Sequence, residues 1–241
     1  MSQALIDISN LCWRPDGRPV LENISLRSDA RRIGIVGRNG SGKTSLARLM
    51  AGLIAPDEGE VLINGAAVAR DRRRALGQVG IVFQNPDHQI IFPTVEEEIA
   101  FGLKQMGQTP AEASAGVQNV LRRFDKSHWA DAAIHQLSQG QRQLVCLMAV
   151  LAMAPRVIIL DEPFAGLDIP TVRQLERFLA GLDETLVQIT HAPDALRDYD
   201  RVLWIEGGRL RGDGPADTVL AEFTEAMLQI GDGDDLSHLA G

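Results

Sequence analysis

The sequence predicts an α/β fold in which a helical stretch interrupts the strands. Two observations carry this. Short apolar runs at 33–36, 79–83, 157–160 and 186–190 each deliver residues suited to binding a ligand: a glycine-rich turn, Gln84, the Asp161-Glu162 pair and His191. Between 95 and 155 the apolar spacing changes to that of helices. At 241 residues the chain is long enough for one large α/β domain with an inserted subdomain.

Composition narrows the field. An apolar fraction of 45% supports a substantial core, and the formal net charge of −8 argues against a general affinity for nucleic-acid backbone, which needs an excess of Lys and Arg. Cys12 and Cys146 lie far apart in apolar contexts, which suits neither a metal site nor a disulfide framework and fits a reducing compartment. The first residues show no basic region followed by an apolar one, so no signal peptide is expected. The longest apolar run, 144–154, falls short of the roughly 20 residues that a membrane span needs, and reads as a buried helix. Association with an integral membrane partner stays open.

In chain order, residues 4–11 read as a strand, Pro15-Asp16-Gly17 as a turn and 20–26 as the returning strand. The run 33–36 then enters Gly37-Arg38-Asn39-Gly40-Ser41-Gly42-Lys43-Thr44, the phosphate-loop pattern in its strand-then-helix setting. Glycines let successive N–H groups curl round a phosphate without a Cβ clash. Lys43 would reach the β- and γ-phosphates and the Thr44 hydroxyl would ligate Mg²⁺, while a helix from Ser45 to Ala51 adds its positive end. Gly37, Asn39, Gly40, Ser41, Gly42, Lys43, Thr44 and Ser45 are thus the expected nucleotide-holding set. The loop alone leaves kinase, GTPase and transport ATPase open.

Pro56-Asp57-Glu58-Gly59 is a turn and 60–63 a short strand. Residues 68–76 read as a surface helix in which Arg72, Arg73 and Arg74 form a solvated face. The strand at 79–83 delivers Gln84 at its C-terminal end, where ligand groups collect in open α/β sheets, so Gln84 is read as a Mg²⁺ ligand or a water-orienting group. Thr94 with Glu97, and Thr109 with Pro110 and Glu112, are capping-box starts of helices near 95 and 110. In the second of these Ala113, Val117, Val120, Leu121 and Phe124 share one apolar face. Glu96, Glu97 and Glu98 either favour the helix dipole or receive an arginine from a partner.

The pentapeptide Leu137-Ser138-Gln139-Gly140-Gln141 precedes a helix with Leu144, Leu147, Met148 and Leu151 on one face. Ser138 and the Gly140 amide would make an anion site at its positive end. The buried strand 157–160 presents Asp161, a candidate Mg²⁺ holder through water, and Glu162, suited to polarising an attacking water. Ala165-Gly166-Leu167-Asp168 leads to a helix at 170–180. The strand 186–190 then delivers His191, read as a γ-phosphate contact. A hairpin round Gly207-Gly208, a short helix from Pro215 and a mobile acidic tail beginning near Gly231 complete the chain.

This ordered set, from phosphate loop through Gln84, Leu137–Gln141, Asp161-Glu162 and Gly166-Leu167-Asp168 to His191, resembles the ATP-binding-cassette ATPases over nearly the whole chain. The resemblance implies a P-loop NTPase (RecA-like) core, an antiparallel β subdomain and a helical subdomain near 95–155, within a single domain spanning 1–241. It also implies Mg·ATP and a head-to-tail homodimer in which each nucleotide lies between one phosphate loop and the opposing Ser138, Gly140, Gln141 and Asp168. Glu162 would be general base, with Gln84 and His191 positioning water and γ-phosphate. The family stacks an aromatic on adenine near the first turn; here Trp13 or Arg14 stands there. Gln139 occupies a signature position where Gly is commoner.

A narrower likeness rests on Phe83-Gln84-Asn85-Pro86-Asp87-His88-Gln89 and Pro93-Thr94-Val95-Glu96-Glu97-Glu98-Ile99-Ala100-Phe101-Gly102. These look like the A-component of energy-coupling-factor importers, whose partners are a transmembrane coupling protein and a substrate-binding membrane protein. The implied place is the cytoplasmic face of the membrane, as a peripheral subunit. Compactness, the lead-in Arg31-Arg32-Ile33-Gly34-Ile35-Val36-Gly37 and the segment His88-Gln89-Ile90-Ile91-Phe92 look most like the biotin importers, ahead of the cobalt and nickel ones. A soluble cassette ATPase of DNA repair or translation fits the acidic chain less well, and a P-loop kinase leaves the signature and Asp161-Glu162 unexplained.

Overall fold

The computed structural model describes residues 5–233. Two sheets are built around the glycine-rich turn. The larger has six strands in the order β10-β9-β3-β8-β7-β6: β3 (Arg32–Val36), β6 (Val79–Val82), β7 (Val157–Asp161), β8 (Thr185–Ile189), β9 (Arg201–Glu206) and β10 (Arg209–Gly214). All are parallel to their neighbours except β10, which returns antiparallel on β9. The smaller sheet is antiparallel, in the order β2-β1-β4-β5, from β1 (Ile6–Trp13), β2 (Leu21–Ser28), β4 (Glu58–Ile63) and β5 (Ala66–Ala67).

The central strands are apolar on both faces because both faces are covered. Val157 and Ile159 of β7, with Val187 and Ile189 of β8, pack toward Ile6, Ile8, Leu46 and Met50 on the side of the small sheet. The alternate residues Ile158, Leu160 and Leu186 pack toward the helical side, against Leu144, Met148, Leu175 and Leu179. The period of two in a strand thus splits one apolar run between two cores.

The helical side comprises α3 (Val95–Gln105), α4 (Pro110–Arg123) and α5 (Gln139–Ala152). Of the two capping boxes expected from the sequence, Thr109 with Glu112 forms in full and Thr94 forms only the cap, while Ser138 with Gln141 adds an unexpected one. Thr94 accepts from the Glu97 N–H, and both Thr109 with Glu112 and Ser138 with Gln141 make the reciprocal pair. Ala113, Val117, Val120, Leu121 and Phe124 are all buried in the shared core.

Three extents differ from expectation. The surface helix over 68–76 is only α2 (Arg72–Leu76), because Asp71 caps it by accepting from the Arg74 N–H. After α1 (Lys43–Met50) and α6 (Ile169–Ala180), the last helix is not short: α7 spans Ala216–Gly233, 18 residues. It seats Val219, Leu220 and Phe223 against Val36, Val202 and Trp204, with the Phe223 and Trp204 rings edge to face at 5.5 Å. Residues 231–233, expected in the tail, belong to this helix, and the acidic stretch from Asp234 onward lies outside the described residues.

Candidate nucleotide site

The turn between β3 and α1 wraps one wall of a cavity of about 1040 Å³, lined among others by Gly37, Asn39, Gly40, Lys43, Thr44, Ser45, Gln84, Asp161, Glu162 and His191. Gly42 begins α1 from the left-handed region at φ 102°, and a Cβ there would stand 2.7 Å from Leu21 Cδ2. Backbone conformation and packing both require glycine at this point.

Inside the loop Lys43 is 7% exposed and its Nζ donates to the carbonyls of Gly37 at 2.7 Å and Arg38 at 2.9 Å. Burial lowers its pKa, against the attraction of Glu162, Asp161 and Glu206. The Ser41 hydroxyl is buried with no hydrogen-bond partner. Ser41 itself does not line the cavity, whereas the desolvated Lys43 ammonium does and suits an anionic ligand.

Asp161 ends β7, is 5% exposed, and accepts from the Thr44 hydroxyl at 3.3 Å. Burial raises its pKa above the ordinary aspartate range; the Thr44 hydrogen bond opposes this and Glu162 adds to it. One hydroxyl and one desolvated carboxylate are a sparse oxygen set that fits Mg²⁺ completing its shell with phosphate and water. Among the described residues no group of three or more His, Cys, Asp or Glu could hold a metal by itself.

Glu162 follows in the left-handed region, at φ 50°, fixed by its N–H donating to Ile189 O at 3.0 Å. A non-glycine residue held there carries backbone strain of the kind that collects at functional sites. The twist turns its carboxylate toward β8, where Oε1 lies 2.9 Å from His191 Nδ1. Gln84, exposed just past β6, shares the same cavity. The parallel strands thus bring the sequence-predicted Gln84, Asp161, Glu162 and His191 to one sheet edge.

Other expected residues lie elsewhere. Trp13 and Arg14 do not line the cavity; they adjoin its rim through Val20, whose N–H donates to Trp13 O at 3.0 Å. The Arg14 guanidinium is committed to Glu58 at 2.7 Å. Ser138, Gly140 and Gln141 line a second cavity of about 230 Å³, which shares no residue with the first. Ser138 caps α5, accepting from the Gln141 N–H at 3.3 Å while its own N–H donates to Gln141 Oε1 at 2.8 Å. Gly140 is buried, and a Cβ on it would sit 2.2 Å from Thr171 Cγ2, so this glycine lets α5 meet α6. Asp168 caps α6 by accepting from the Thr171 N–H at 2.9 Å, and the Thr171 hydroxyl first, then this N–H, lower its pKa.

Several contributors escaped sequence reasoning. Phe223, Thr224, Met227 and Leu228 of α7 wall the larger cavity beside His191 and Pro193. The Gln89 side chain completes the edge of β6, accepting from the Phe83 N–H at 3.1 Å and donating to Ile81 O at 3.3 Å. Gln143 Nε2 donates to Phe83 O at 3.1 Å and Arg142 pairs with Asp87 at 3.1 Å, tying α5 to the segment that carries Gln84. Of the three glutamates, Glu97 bonds Thr94, whereas Glu98 is 6% exposed and accepts from the Ile91 and Phe92 N–H groups at 2.9 Å each. Glu98 therefore anchors its own loop, leaving Glu96 and Glu97 as the accessible acids.

Comparison with known proteins places this arrangement. A family model described as "ABC transporter" matches residues 21–165, more than half of the chain. The chain is 52% identical over 225 residues to the "Biotin transport ATP-binding protein BioM" of Rhodobacter capsulatus, covering 93% of this chain and 96% of that one. It is 43% identical over 208 residues to the protein of the same name from Rhizobium etli, covering 86% and 92% of the two chains. Its fold matches that of cbiO1 from Clostridium perfringens, described as part of the ABC transporter complex cbiONQ, with TM-score 0.79, 30% identity and 95% of each chain covered. Two sheets meeting at a phosphate loop, a capped signature helix and this similarity lead to one conclusion: the chain belongs to the ABC transporter family, as one of its ATPase domains.

Proposed function

We propose that this chain is the ATP-hydrolysing subunit of an energy-coupling-factor importer, that it works as a head-to-tail homodimer, and that biotin is the micronutrient imported. The observation that supports the dimer is the division of the site. The phosphate loop, Asp161, Glu162 and His191 line one cavity while Ser138, Gly140 and Gln141 line another. A second copy is what can present the latter to a nucleotide held by the former.

In this reading the phosphates take over the hydrogen bonds that Lys43 now gives to loop carbonyls. Mg²⁺, held by Thr44, Asp161 and Gln84, would neutralise charge on the β- and γ-phosphate oxygens. Glu162 orients the attacking water and accepts its proton as the new bond to the γ-phosphorus forms and the bridging P–O bond breaks. His191, fixed by Glu162, contacts the γ-phosphate. Trp13 or Arg14 meets the adenine at the rim, and Ser138, Gly140, Gln141 and Asp168 act from the opposing subunit.

Support for biotin is the similarity to two biotin transport ATP-binding proteins. A coupling protein and a substrate-binding protein would supply the membrane path, since among the described residues no helix is long and apolar enough to cross a membrane. The subunit would then sit on the cytoplasmic face. Co-expression with candidate membrane partners, followed by uptake of labelled biotin, cobalt and nickel, tests this. Biotin uptake that disappears with Glu162→Gln is expected; metal uptake without biotin uptake would overturn the substrate.

A further inference from the structure

Among the residues that line the smaller cavity outside the signature motif, Lys126 and Trp129 stand together. Lys126 and Trp129 line it together with Ser138, Gly140, Gln141 and Thr171. They sit on a tight turn after α4, where the Lys126 N–H donates to Leu121 O at 2.8 Å and the Trp129 N–H donates to Lys126 O at 2.8 Å. The ammonium lies 5.3 Å from the centre of the Trp129 ring. Among the described residues no ion pair involves Lys126.

Lys126 is partly exposed, and the cavity it lines also takes in the first turn of α5. That turn carries the positive end of a 14-residue helix, so cavity, helix end and ammonium all present positive charge. The face of Trp129 holds the ammonium on this side of the cavity. An anion between the ammonium and the helix end would be attracted to both, and a polyanion most strongly.

We propose that Lys126 is a positioning residue acting in trans, holding the triphosphate of a nucleotide bound by the phosphate loop of a second copy of this chain. The proposal rests on the dimer reading above. Lys126 then adds a cation from the signature face to the one that Lys43 supplies from the loop.

Lys126→Met is the suitable variant, because its unbranched stem keeps the contact with Trp129 and Lys126→Arg restores the charge. In a Glu162→Gln background, nucleotide binding by dilute monomer stays unchanged. ATP-dependent dimerisation, followed by sedimentation, weakens by about tenfold or more, and Lys126→Arg recovers most of it. Mixing decides between trans and cis action. A Lys126→Met subunit paired with a Lys43→Ala subunit forms one intact composite site if Lys126 acts across the interface, so the mixture traps nucleotide that neither variant traps alone. A mixture that traps no more than the separate variants, or a Lys126→Met chain that dimerises normally, overturns the proposal. A Glu162→Gln parent that stays monomeric with ATP sinks the dimer reading itself.

Discussion

His191 Nδ1 lies 2.9 Å from Glu162 Oε1, joining the ends of adjacent parallel strands across the floor of the nucleotide cavity. The side chain of Glu162 is 14% exposed and that of His191 is 67% exposed, so the carboxylate is shielded while the imidazole reaches outward. With Glu162 ionised, Nδ1 is the donor, and the ring direction is set by that bond. Glu162→Gln removes the carboxylate proposed as proton acceptor but keeps the shape. Hydrolysis should fall by about 10²–10⁴-fold with nucleotide binding retained, as phosphate release and fluorescent-nucleotide titration would report. Full turnover in this variant would remove Glu162 from the chemistry.

Asp161 gives a prediction about stability. Burial holds its carboxyl above the ordinary range. A carboxyl raised in the folded state stabilises the fold when protonated, fully so below its unfolded pKa, and that contribution is lost as pH rises through the folded value. At neutral pH the bare carboxylate is therefore a net cost. Asp161→Asn should raise the apo melting temperature by about 2–4 °C, equivalent to about 1 kcal/mol for a domain of this size. The same variant should lose the extra stabilisation that Mg·ATP gives the unmodified chain. Calorimetry with and without Mg·ATP measures both, and an apo melting temperature that drops would show that Asp161 stabilises the empty site.

Gly140→Ala tests how closely α5 approaches α6. The new methyl would meet Thr171 Cγ2 at 2.2 Å, on a stiff branched side chain that cannot swing away freely. Overpacking of this kind costs about 1–3 kcal/mol. Thr171→Ser removes that methyl, so the double variant should recover most of the loss in a urea titration. If the two substitutions merely add, the contact is not where the destabilisation arises.

Glu98 separates a loop anchor from a partner contact. Its carboxylate receives two backbone N–H groups, from Ile91 and Phe92. Glu98→Ala leaves both without that acceptor and should destabilise the chain by about 2–4 kcal/mol, at about 1–3 for each group, less what water recovers. Glu97→Ala loses only its bond from the Thr94 hydroxyl at an exposed helix start and should cost about 1 kcal/mol or less. Equal effects of the two on melting temperature would contradict the anchoring role.

Which parts were readable from sequence follows from where the information sits. Phosphate loop, strand ends and capping boxes are local: Gly42, Asp161, Thr109 and Ser138 act within a few residues of themselves, and each lies where its pattern placed it. The relation of α7 to the cavity is not local. Met227 and Leu228 carry no local mark of a role, and the seating of Phe223 on Trp204 brings their helix beside His191. Gln89, Arg142 and Gln143 likewise look like ordinary polar residues until folding sets them against Phe83 and Asp87. The division between Glu97 and Glu98 was also hidden, since three equal acids in a helix start carry no mark of which one turns inward. For α2, by contrast, the Asp71 cap was a usable signal, and it marks the shorter helix.

Ser138→Arg addresses the composite site while sparing the phosphate loop, since Ser138 belongs to the other cavity. Loss of the cap, in which the Ser138 hydroxyl accepts from the Gln141 N–H, costs about 1 kcal/mol, and the variant should still fold. An arginine on this exposed surface adds bulk where a second subunit would have to approach. Monomer binding of ATP should be unchanged while ATP-dependent dimerisation and hydrolysis are lost. Ser138→Thr, which keeps a capping hydroxyl, serves as the control for folding. The decisive arm is mixing: a Ser138→Arg subunit with a Lys43→Ala subunit can assemble one undamaged site only if signature and loop come from different chains. Restored hydrolysis in that mixture is expected, and normal hydrolysis by the Ser138→Arg chain alone would leave the dimer mechanism without support.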